Sequence, residues 1–514
     1  MSVSATVRAR QVPADLGPAF RDAFPAARLL VVSNREPYEH VWDDERDEIE
    51  VRRPPGGLVS ALDPLVQSVG GVWVAWGSGD ADREAADSTG RVRVPPEEPR
   101  YSLRRVWLTQ RDIRQYYQGY ANQLLWPLCH LRPGLTHSSG PYWERYRQVN
   151  QRFAEAALEE AGSEAAIWFH DYHLALAPGF VRRANAGHKL AHFWHIPFPP
   201  LELFRILTHG EALLEGLIAN HLLGFHLPLF CDNFMRCAES VLGADVDWEQ
   251  RAVHYDGHTC FVRALPISID VDAFESRLAE PTAEAAVRRL RTRYGGGAES
   301  IGIGVDRIDY SKGLEEKLAA LDLMWERNPE MREHFTFVQV AVPSRTGIDA
   351  YDWLSETVER MAWSINDRWG TVEWKPVHLI KESLPPERLA LFYRAADLCI
   401  VSSLQDGMNL VAKEYVASHG PDGAGVLVLS RFAGAVEELD GCVPVNPYDA
   451  DDFATRIREA ILMPVLERRE RMDRLYTSLR SIYDWMIETF EAWQLAADGE
   501  TPPLTAIDRS SRAG

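Results

Sequence analysis

The chain has 514 residues, more than one hydrophobic core usually serves, so at least two domains are expected. Hydrophobic residues make up 46% and charged residues 25% of the chain, which is ordinary for a soluble globular protein. The formal net charge of −20 argues against nucleic acid or an anionic membrane as a partner. An anionic substrate is still compatible with this charge, because it needs only a local basic cluster.

Several segments argue against secretion and against membrane insertion. The N-terminal stretch MSVSATVRARQVPADLG lacks the apolar core of a signal peptide. The apolar region 213–230 is interrupted by charged and polar side chains and is too polar to span a bilayer. The six cysteines show no CxxC spacing and lie mostly in apolar runs. They indicate buried thiols in a reducing cytoplasm.

Short, ungapped apolar runs alternate with helical segments along the chain. Ungapped runs are typical of strands buried on both faces of a parallel sheet. The runs are 29–32, 167–169, 301–305, 335–341, 398–401 and 426–429. The alternation occurs once before about residue 270 and again after about residue 300, which predicts two doubly wound α/β domains. Ligands of such domains bind at the carboxyl ends of the strands, where the polar motifs of this chain lie.

The domain boundaries follow from composition. Residues 1–25 are typical of a loose N-terminal extension, and residues 26–272 form the first predicted domain. A charged segment that ends in three glycines follows the boundary near Asp272, and the second domain is predicted to span residues 273–477. Residues 478–496 lie in a long amphipathic helical region, and residues 497–514 have the composition of a flexible tail.

The first half of the chain carries aromatic, basic and glycine motifs at strand ends. SNREPYEH follows the first strand and contains Arg35, and Gly56 and Gly57 precede a helix, where they permit close approach of a ligand to the backbone. YYQGYANQLLWPLCH contains Tyr117 and Trp126. Aromatic faces pack against sugar rings, although an amphipathic core helix explains much of this motif equally well.

Histidines and an aspartate follow two further strands. WFHDYHLALAP places Asp171 and His173 after one strand, and AHFWHIPFPP places His195 after another. HxxH-like spacing suggests a metal site, but no third ligand follows at the spacing of the known zinc motifs. Binding of sugar hydroxyls by these polar side chains fits better.

The second half carries a cationic pair. GVDRIDYSKGL places Arg307 at a strand end and Lys312 beside a glycine turn, and QVAVPSR places Arg345 just past the next strand. An Arg and a Lys so placed could hold a diphosphate and stabilise it as a leaving group. The P-loop pattern GxxxxGK[ST] is absent. The alternative is that these residues are surface charges in ion pairs.

The stretch LQDGMNLVAKEYVAS predicts a strand, a tight turn and a helix N-terminus. Asp406 lies in the turn and Glu414 about two turns inside the helix. Amides at a helix N-terminus suit phosphate, and carboxylates suit hydroxyls, so the combination indicates a sugar-nucleotide site. A glycosidase needs two carboxyl groups roughly 5–10 Å apart, whereas eight residues of helix separate these two by about 12 Å.

Together these motifs resemble the trehalose-6-phosphate synthases, retaining glycosyltransferases of the GT-B fold. The resemblance runs from about residue 29 to residue 493 and rests on specific motifs in a fixed order: HDYHL, HIPFP, VDRIDYSKG, PSR and DGMNLVAKE. The resemblance implies two Rossmann-like domains that face each other across a cleft, the first binding the acceptor and the second the nucleotide sugar. The helix at 478–496 would cross back to the first domain.

The resemblance also implies roles for single residues. The acceptor, glucose 6-phosphate, would be bound by Arg35, Tyr117, Trp126, Asp171 and Arg345. Arg307 and Lys312 would grip the donor diphosphate and serve catalysis, together with His195 and Asp171, and His195 and Asp406 would bind the transferred glucose. The rest of the donor site would consist of Gly56, Gly57, Leu384, Gly407, Met408, Asn409, Leu410, Val411, Ala412, Lys413 and Glu414, of which Glu414 would bind the ribose.

In such enzymes the acceptor hydroxyl attacks from the face on which the donor phosphate departs, so no protein nucleophile, cofactor or metal is required. The resemblance implies a cytoplasmic enzyme of trehalose biosynthesis with UDP-, GDP- or ADP-glucose as the donor. A stress-related role is usual for such products. No fused phosphatase domain is visible, so a separate trehalose-phosphate phosphatase is expected downstream. The sequence leaves the oligomeric state open, a homo-oligomer being one option.

Three departures from the family pattern concern the acceptor. Glu36 stands in SNREPYEH where the family usually has an aliphatic residue, as in glucosylglycerol-phosphate synthases, which use glycerol 3-phosphate. Gln405 replaces an arginine, and WVAWGSGDADRE is atypical. Glycerol 3-phosphate is therefore the alternative acceptor. A catalytically silent sugar-phosphate sensor is the third hypothesis, and the presence of all the charged donor-site residues disfavours it.

Overall fold

The computed structural model describes residues 16–510 except 44, 46, 55, 56 and 346. The chain divides into two compact units, the first made of the chain up to Ile267 and from Ser481 onward, the second of Ser268–Arg480. Gly56, predicted to belong to the donor site, lies outside the described residues. In the part of the chain described here, no helix is both long and apolar enough to cross a membrane.

The first unit is built on a ten-stranded sheet in the order β10-β11-β12-β9-β8-β7-β1-β4-β6-β5. The strands from β12 to β6 in that order pair in parallel, and antiparallel strands extend both edges. The strands are β1 (Arg28–Val32), β4 (Val72–Trp76), β5 (Arg91–Val94), β6 (Tyr101–Val106), β7 (Ala165–His170), β8 (Lys189–Phe193), β9 (Leu222–Phe225), β10 (Asp245–Asp247), β11 (Ala252–Tyr255) and β12 (His258–Ala264). A separate hairpin consists of β2 (Glu39–Asp43) and β3 (Glu48–Arg52).

Helices connect and cover these strands. They are α1 (Leu16–Ala23), α2 (Gly57–Val69), α3 (Asp82–Ala85), α4 (Gln110–Asp112), α5 (Trp126–Cys129), α6 (Gly140–Ala161), α7 (Ala177–Ala184), α8 (Leu201–Phe204), α9 (Gly210–Ile218) and α10 (Pro228–Cys237). A π-helix spans Ile113–Leu125 between α4 and α5, and a shorter one spans Ala238–Leu242. The central strands are buried along their length, as ungapped apolar strands between helices must be.

The second unit is built on a wholly parallel six-stranded sheet in the order β15-β14-β13-β16-β17-β18. Its strands are β13 (Ser300–Arg307), β14 (Phe335–Val342), β15 (Val377–Ile380), β16 (Leu398–Val401), β17 (Val426–Ser430) and β18 (Val443–Val445). Its helices are α11 (Val271–Leu278), α12 (Ala283–Gly295), α13 (Leu314–Arg327), α14 (Asp349–Trp369), α15 (Pro386–Ala395), α16 (Leu410–His419), α17 (Ala450–Leu462) and α18 (Val465–Ser478). The predicted class, two doubly wound α/β domains, is confirmed.

Each sheet has one point at which the strand order reverses. In the first unit, the chain leaves β1 towards β4 on one side and later adds β7 on the other. In the second unit, β14 and β15 lie on one side of β13, and β16 to β18 lie on the other. Connections leave such a pair of strands in opposite directions and open a crevice at their carboxyl ends. Each unit is therefore expected to bind a ligand there.

The two ends of the chain differ from the sequence prediction. Residues 16–25 are not a loose extension, because α1 buries Phe20 against Phe24 and Phe490, with ring centroids 5.3 and 5.5 Å away. By contrast, the last long helix, α19 (Ile482–Ala497), belongs to the first unit as predicted, and there the indole of Trp485 donates to the carbonyl of Leu265 at 3.0 Å. Residues 268–272, assigned to the first domain from composition, belong to the second unit.

Residues 498–510 are packed onto the first unit rather than forming a free tail. The buried guanidinium of Arg263 donates to the carbonyls of Pro502 and Pro503, and Thr505 donates to the carbonyl of Ala264. A last helix, α20 (Ala506–Ser510), follows. A composition-based prediction misses this packing because main-chain carbonyls, which every sequence supplies, make the contacts.

Candidate active site

The crevice of the first unit is lined by residues that follow β1 and β7. Arg35 is exposed just beyond β1, and the side chain of neighbouring Asn34 accepts a hydrogen bond from Tyr116 at 2.8 Å. Asp171 follows β7 with a φ of 71°, and its carboxylate accepts from the amide of Tyr172 at 3.0 Å. Asp171 is thus held in a strained backbone conformation at the reversal point, which is where functional residues concentrate.

The aromatic motif forms the π-helix Ile113–Leu125, a rare geometry that often marks a functional site. The side chain of Asn122 donates to the carbonyl of Tyr117 at 2.8 Å and satisfies one main-chain group of the widened helix. The ring of Tyr117 stacks on His173, with centroids 5.7 Å apart, and lies 5.7 Å from Trp76. Tyr117 therefore lies beside the strand-end residues, half-buried.

Trp126, predicted to face the acceptor, is largely a core residue. Its side chain is 4% exposed, and its ring packs against His130 and Tyr172 at centroid distances of 4.0 and 5.8 Å. The alternative considered from sequence, an amphipathic core helix, describes this position well.

His195 follows β8 and is paired with His170, which the sequence suggested only as one of the strand-end residues that could bind sugar hydroxyls. The Nε2 of His195 lies 3.1 Å from the Nδ1 of His170, the last residue of β7. Burial and neighbouring imidazoles lower the pKa of both histidines well below the usual value. One ring donates and the other accepts, so His170 fixes the orientation of His195. Within the described ranges, no group of three or more His, Cys, Asp or Glu is arranged to hold a metal ion.

In the second unit, Arg307 and Lys312 lie at the carboxyl end of β13, where the strand order of the sheet reverses. Arg307 is the last residue of β13, and Lys312 ends a short 3₁₀ turn. The Nζ of Lys312 lies 2.5 Å from the carboxylate of Asp406, which follows the neighbouring strand β16. The ion pair that was the alternative interpretation of Lys312 is therefore present, and its partner is the acid predicted to bind the transferred sugar.

The turn that contains Asp406 is hydrogen-bonded to the residue that caps the N-terminus of α16. The Oδ2 of Asp406 also accepts from Ser403 at 3.0 Å and from the side chain of Asn409 at 3.2 Å. Asn409, with a φ of 86°, caps α16 by accepting from the amide of Ala412. Gly407 is closely packed, since a Cβ on Gly434 would lie 2.2 Å from its carbonyl oxygen. The first amides of α16 are thus fixed in position for an anion.

The other predicted donor residues divide between half-buried and buried positions. Glu414 accepts a hydrogen bond from Tyr393 at 2.8 Å, and burial raises the pKa of its carboxyl group. The amine of Lys413 points inward and pairs with Glu438 at 2.6 Å, and burial lowers its pKa. Leu384, Met408 and Ala412 are buried, and Leu410 and Val411 are half-buried, so main-chain contacts are what these positions can offer. Gly57 is the first residue of α2 in the first unit.

Arg345 also lies in the second unit, after β14. Its backbone has a φ of 47°, and its guanidinium lies 2.5 Å from the buried carboxylate of Asp309 and 2.7 Å from the hydroxyl of Tyr351. Asp309 caps the turn that carries Lys312, so it links Arg345 to the cationic pair. Sequence reasoning considered Asp309 only as a nearby acid that could pair with Arg307 or Lys312, whereas the structure pairs it with Arg345.

The carboxyl edge of the second sheet therefore combines two kinds of charged group with the capped N-terminus of α16. The basic side chains are Arg307, Lys312 and Arg345, and the carboxyl groups are those of Asp406 and Glu414. This combination binds an anion next to a set of hydroxyls, as a sugar nucleotide requires. The edge of the first unit supplies an arginine, aromatic rings, an aspartate and a histidine pair for a second polar ligand.

The family model for glycosyltransferase family 20 matches residues 27–494. The chain belongs to glycosyltransferase family 20. An alpha,alpha-trehalose-phosphate synthase [UDP-forming] of Pichia angusta is 35% identical over 458 residues, which cover 87% of this chain and 94% of that protein. A trehalose-6-phosphate synthase of Mycolicibacterium smegmatis is 35% identical over 503 residues, covering 94% and 97% of the two chains.

Solved structures agree with the family assignment. A UDP-forming alpha,alpha-trehalose-phosphate synthase of Burkholderia xenovorans, in complex with glucose-6-phosphate, superimposes with a TM-score of 0.80 at 31% identity. The superposition covers 91% of this chain and all of that chain. As a member of the family, the protein is a glycosyltransferase, and the family resemblance of its motifs is confirmed.

Proposed function

We propose that this family member transfers glucose from UDP-glucose to glucose 6-phosphate, with retention at the anomeric carbon, and forms α,α-trehalose 6-phosphate. The observation that carries this proposal is the joining of Lys312 to Asp406 across the reversal point of the second sheet. A cation for the diphosphate and an acid for the sugar hydroxyls lie there side by side. The Pichia angusta relative and the Burkholderia xenovorans enzyme are UDP-forming, and the latter was solved with glucose-6-phosphate.

The proposed reaction breaks the bond between the glucose C1 and the diphosphate oxygen and forms a bond from C1 to the anomeric oxygen of the acceptor. The acceptor hydroxyl gives its proton to the departing diphosphate. Arg307, Lys312 and the first amides of α16 stabilise the charge on the leaving group. Asp406 and His195 orient the transferred glucose, and Glu414 binds the ribose. No metal or cofactor is assigned a role, because basic side chains supply the positive charge.

The acceptor is proposed to bind Arg35, Tyr117 and Asp171 of the first unit. Glu36, which favours glycerol 3-phosphate on the sequence alone, is fully buried and hydrogen-bonded inside the first unit. Its carboxyl group does not line an acceptor pocket, so it gives no support to the smaller acceptor. We propose a cytoplasmic location, consistent with six free cysteines, and a separate phosphatase downstream.

A nucleotide-release assay on the purified protein tests this proposal. UDP-, GDP- and ADP-glucose are each combined with glucose 6-phosphate and with glycerol 3-phosphate. Release of UDP only in the presence of glucose 6-phosphate is the expected result. Release only with glycerol 3-phosphate would overturn the acceptor assignment, and no release with any pair would favour a sensor.

A further inference from the structure

Two atypical segments of the sequence meet in a single buried ion cluster of the first unit. Glu36 follows β1, Asp82 follows β4, and Arg105 on β6 lies between them. The Nε of Arg105 donates to Glu36 at 2.8 Å, and its terminal nitrogen lies 2.7 Å from Asp82. All three side chains are fully buried. We call these three residues the buried clamp. The unusual Glu36 and the unusual DADRE segment are therefore two halves of one feature.

The buried clamp holds main chain as well as side chains. The carboxylate of Glu36 accepts from the amide of Ser78 at 2.7 Å, which ties the segment after β1 to the segment after β4. Asp82 accepts from the amides of Gly79 and His40 at 2.7 and 2.8 Å and ties the same two segments a second time.

A close approach of two backbone segments and a further hydrogen bond also hold the segment after β1 against the segment after β4. A Cβ on Gly79 would lie 2.3 Å from the carbonyl oxygen of His40, so glycine is required there. Arg105 also donates to the carbonyl of Tyr38 at 3.0 Å. The two segments therefore cannot separate without breaking buried, charge-assisted hydrogen bonds.

Both segments lead directly to residues proposed to bind the acceptor. Arg35 is the residue before Glu36 and is exposed at the carboxyl end of β1. Trp76 ends β4, and its ring packs on Tyr117 with centroids 5.7 Å apart. The buried clamp is thus connected along the backbone to Arg35 on one side and, through the end of β4, to the Trp76–Tyr117 pair on the other.

The charges in the buried clamp balance only when one carboxyl group holds a proton. Burial, with a hydrogen bond to Asp82, raises the pKa of Glu36 to about 8, although Arg105 opposes this rise. The Nδ1 of His40 lies 2.7 Å from a terminal nitrogen of Arg105 and 3.4 Å from Asp82. A further acid, Glu39, accepts a hydrogen bond from the hydroxyl of Ser78, which also lies within hydrogen-bond distance of Glu36.

We propose that the buried clamp sets the position of the acceptor-binding edge, and that Glu36 is a positioning residue for the phosphorylated acceptor. Glu36 acts through the backbone on Arg35 and Tyr117 and does not touch substrate. The inference rests on the proposed function in one respect, since it takes Arg35 and Tyr117 to bind the acceptor.

The substitution Glu36→Gln tests the proposal. It keeps the shape of the side chain but replaces the oxygen that accepts from Arg105 with an NH2 group, which cannot accept, so that the hydrogen bond from Arg105 is lost. We expect the KM for glucose 6-phosphate to rise about tenfold, the scale of one charge-assisted hydrogen bond. The KM for UDP-glucose and kcat should stay within about twofold, because the donor residues lie in the other unit.

The matched control is Glu160→Gln. Glu160 is also a buried carboxylate of the first unit, paired with Arg91 at 2.6 Å. Its other partners are Arg28, the first residue of β1, and Arg104, and within the described residues it pairs with no member of the buried clamp. This variant should lower thermal stability without changing the acceptor KM. An equal rise of the acceptor KM in both variants would reduce Glu36 to a merely structural role.

A measurement without substrate separates this inference from the proposed function. Hydrogen exchange of the peptides 33–40 and 76–83 should become about tenfold faster in Glu36→Gln and stay unchanged in Glu160→Gln. Unchanged exchange together with an unchanged acceptor KM would overturn the proposal. Turnover of another acceptor by the wild type would overturn the proposed function alone, and the KM comparison is then made with that acceptor. If Glu36→Gln does not fold, Asp82→Asn replaces it.

Discussion

Arg307 and Lys312 lie at the carboxyl end of β13, where they are proposed to meet the donor diphosphate. Lys312 is paired with Asp406, which also accepts from Ser403 and Asn409, so a bound sugar competes for an acid that has several donors. Arg307 stands at the end of β13, where the sheet reverses its strand order. We assign the stabilisation of the leaving-group charge chiefly to this pair.

We expect Arg307→Ala to lower kcat by at least about a thousandfold, because it removes a positive charge from the developing diphosphate. Steady-state kinetics and a thermal melt measure the effect, and the melting temperature should change little. The control is Arg327→Ala, which removes an exposed arginine of the same unit, paired with Asp451. Turnover of the Arg307 variant near the wild-type rate would remove Arg307 from the mechanism.

The raised pKa of Glu36 predicts that the stability of the protein depends on pH. Its pKa is raised from 4.5 to about 8 on folding, chiefly by burial, so the folded protein holds a proton that the unfolded chain loses. Stability from this group is fully present below pH 4.5 and declines as the pH rises towards about 8. Urea unfolding across this range should show that decline in the wild type and a flatter profile in Glu36→Gln. Parallel profiles would contradict the buried, protonated state.

At the scale of elements, the turn after β13 joins two strands of the second sheet. Gly313 has a φ of 62°, and a Cβ at this position would lie 2.2 Å from the carbonyl oxygen of Ser402. Ser402 in turn donates to the carbonyls of Lys312 and Gly313 at 2.8 and 2.9 Å. The close packing of this turn on the end of β16 is what brings Lys312 to Asp406.

Gly313→Ala is therefore expected to destabilise the protein by at least about 2 kcal/mol and to raise the donor KM more than the acceptor KM. Gly243→Ala is the control, because Gly243 is also left-handed, with a φ of 65° and a ψ of 27°, and a Cβ there would meet no heavy atom of the described residues within 4 Å. It should cost only the strain of the left-handed conformation, about 1 kcal/mol, and leave both KM values unchanged. Equal effects of the two substitutions would show that the close approach to Ser402 does not matter.

Sequence patterns predicted the elements that carry the site better than the contacts within it. Ungapped strands, glycine turns and polar strand ends located Arg307, Asp171 and His195, because these signals are local. The pairing of His170 with His195 and the packing of Trp126 were not predicted, since both depend on neighbours distant in sequence. The role of Glu36 was misjudged for the same reason: its partner Arg105 is 69 residues away.

At the scale of the whole molecule, the chain folds as two units whose boundary is crossed twice, after Ile267 and again after Arg480. The boundary predicted near Asp272 lies five residues beyond Ile267, and the charged, glycine-ended segment that suggested it forms α11 and α12 of the second unit rather than a linker. Composition detects exposed segments, and an exposed helix has the same composition as a linker.

The C-terminal segment should contribute measurably to stability. Ending the chain after Asp498 would remove the carbonyls that accept from buried Arg263 and would remove buried Asp508, which lies 3.5 Å from Arg251. Two buried arginines would lose partners, and we expect the melting temperature to fall by about 5–10 °C. Ending the chain after Ser510 is the control and should leave it unchanged. No difference between the two truncations would mean that the segment is only loosely attached.

The most direct test of the proposed reaction is the nuclear magnetic resonance spectrum of the product formed from UDP-glucose and glucose 6-phosphate. We expect one disaccharide phosphate in which both anomeric centres are α and joined through one oxygen, as retention and attack by the anomeric hydroxyl require. A β-configured glucosyl residue, a linkage to another hydroxyl, or free glucose as the sole product would contradict the proposed reaction.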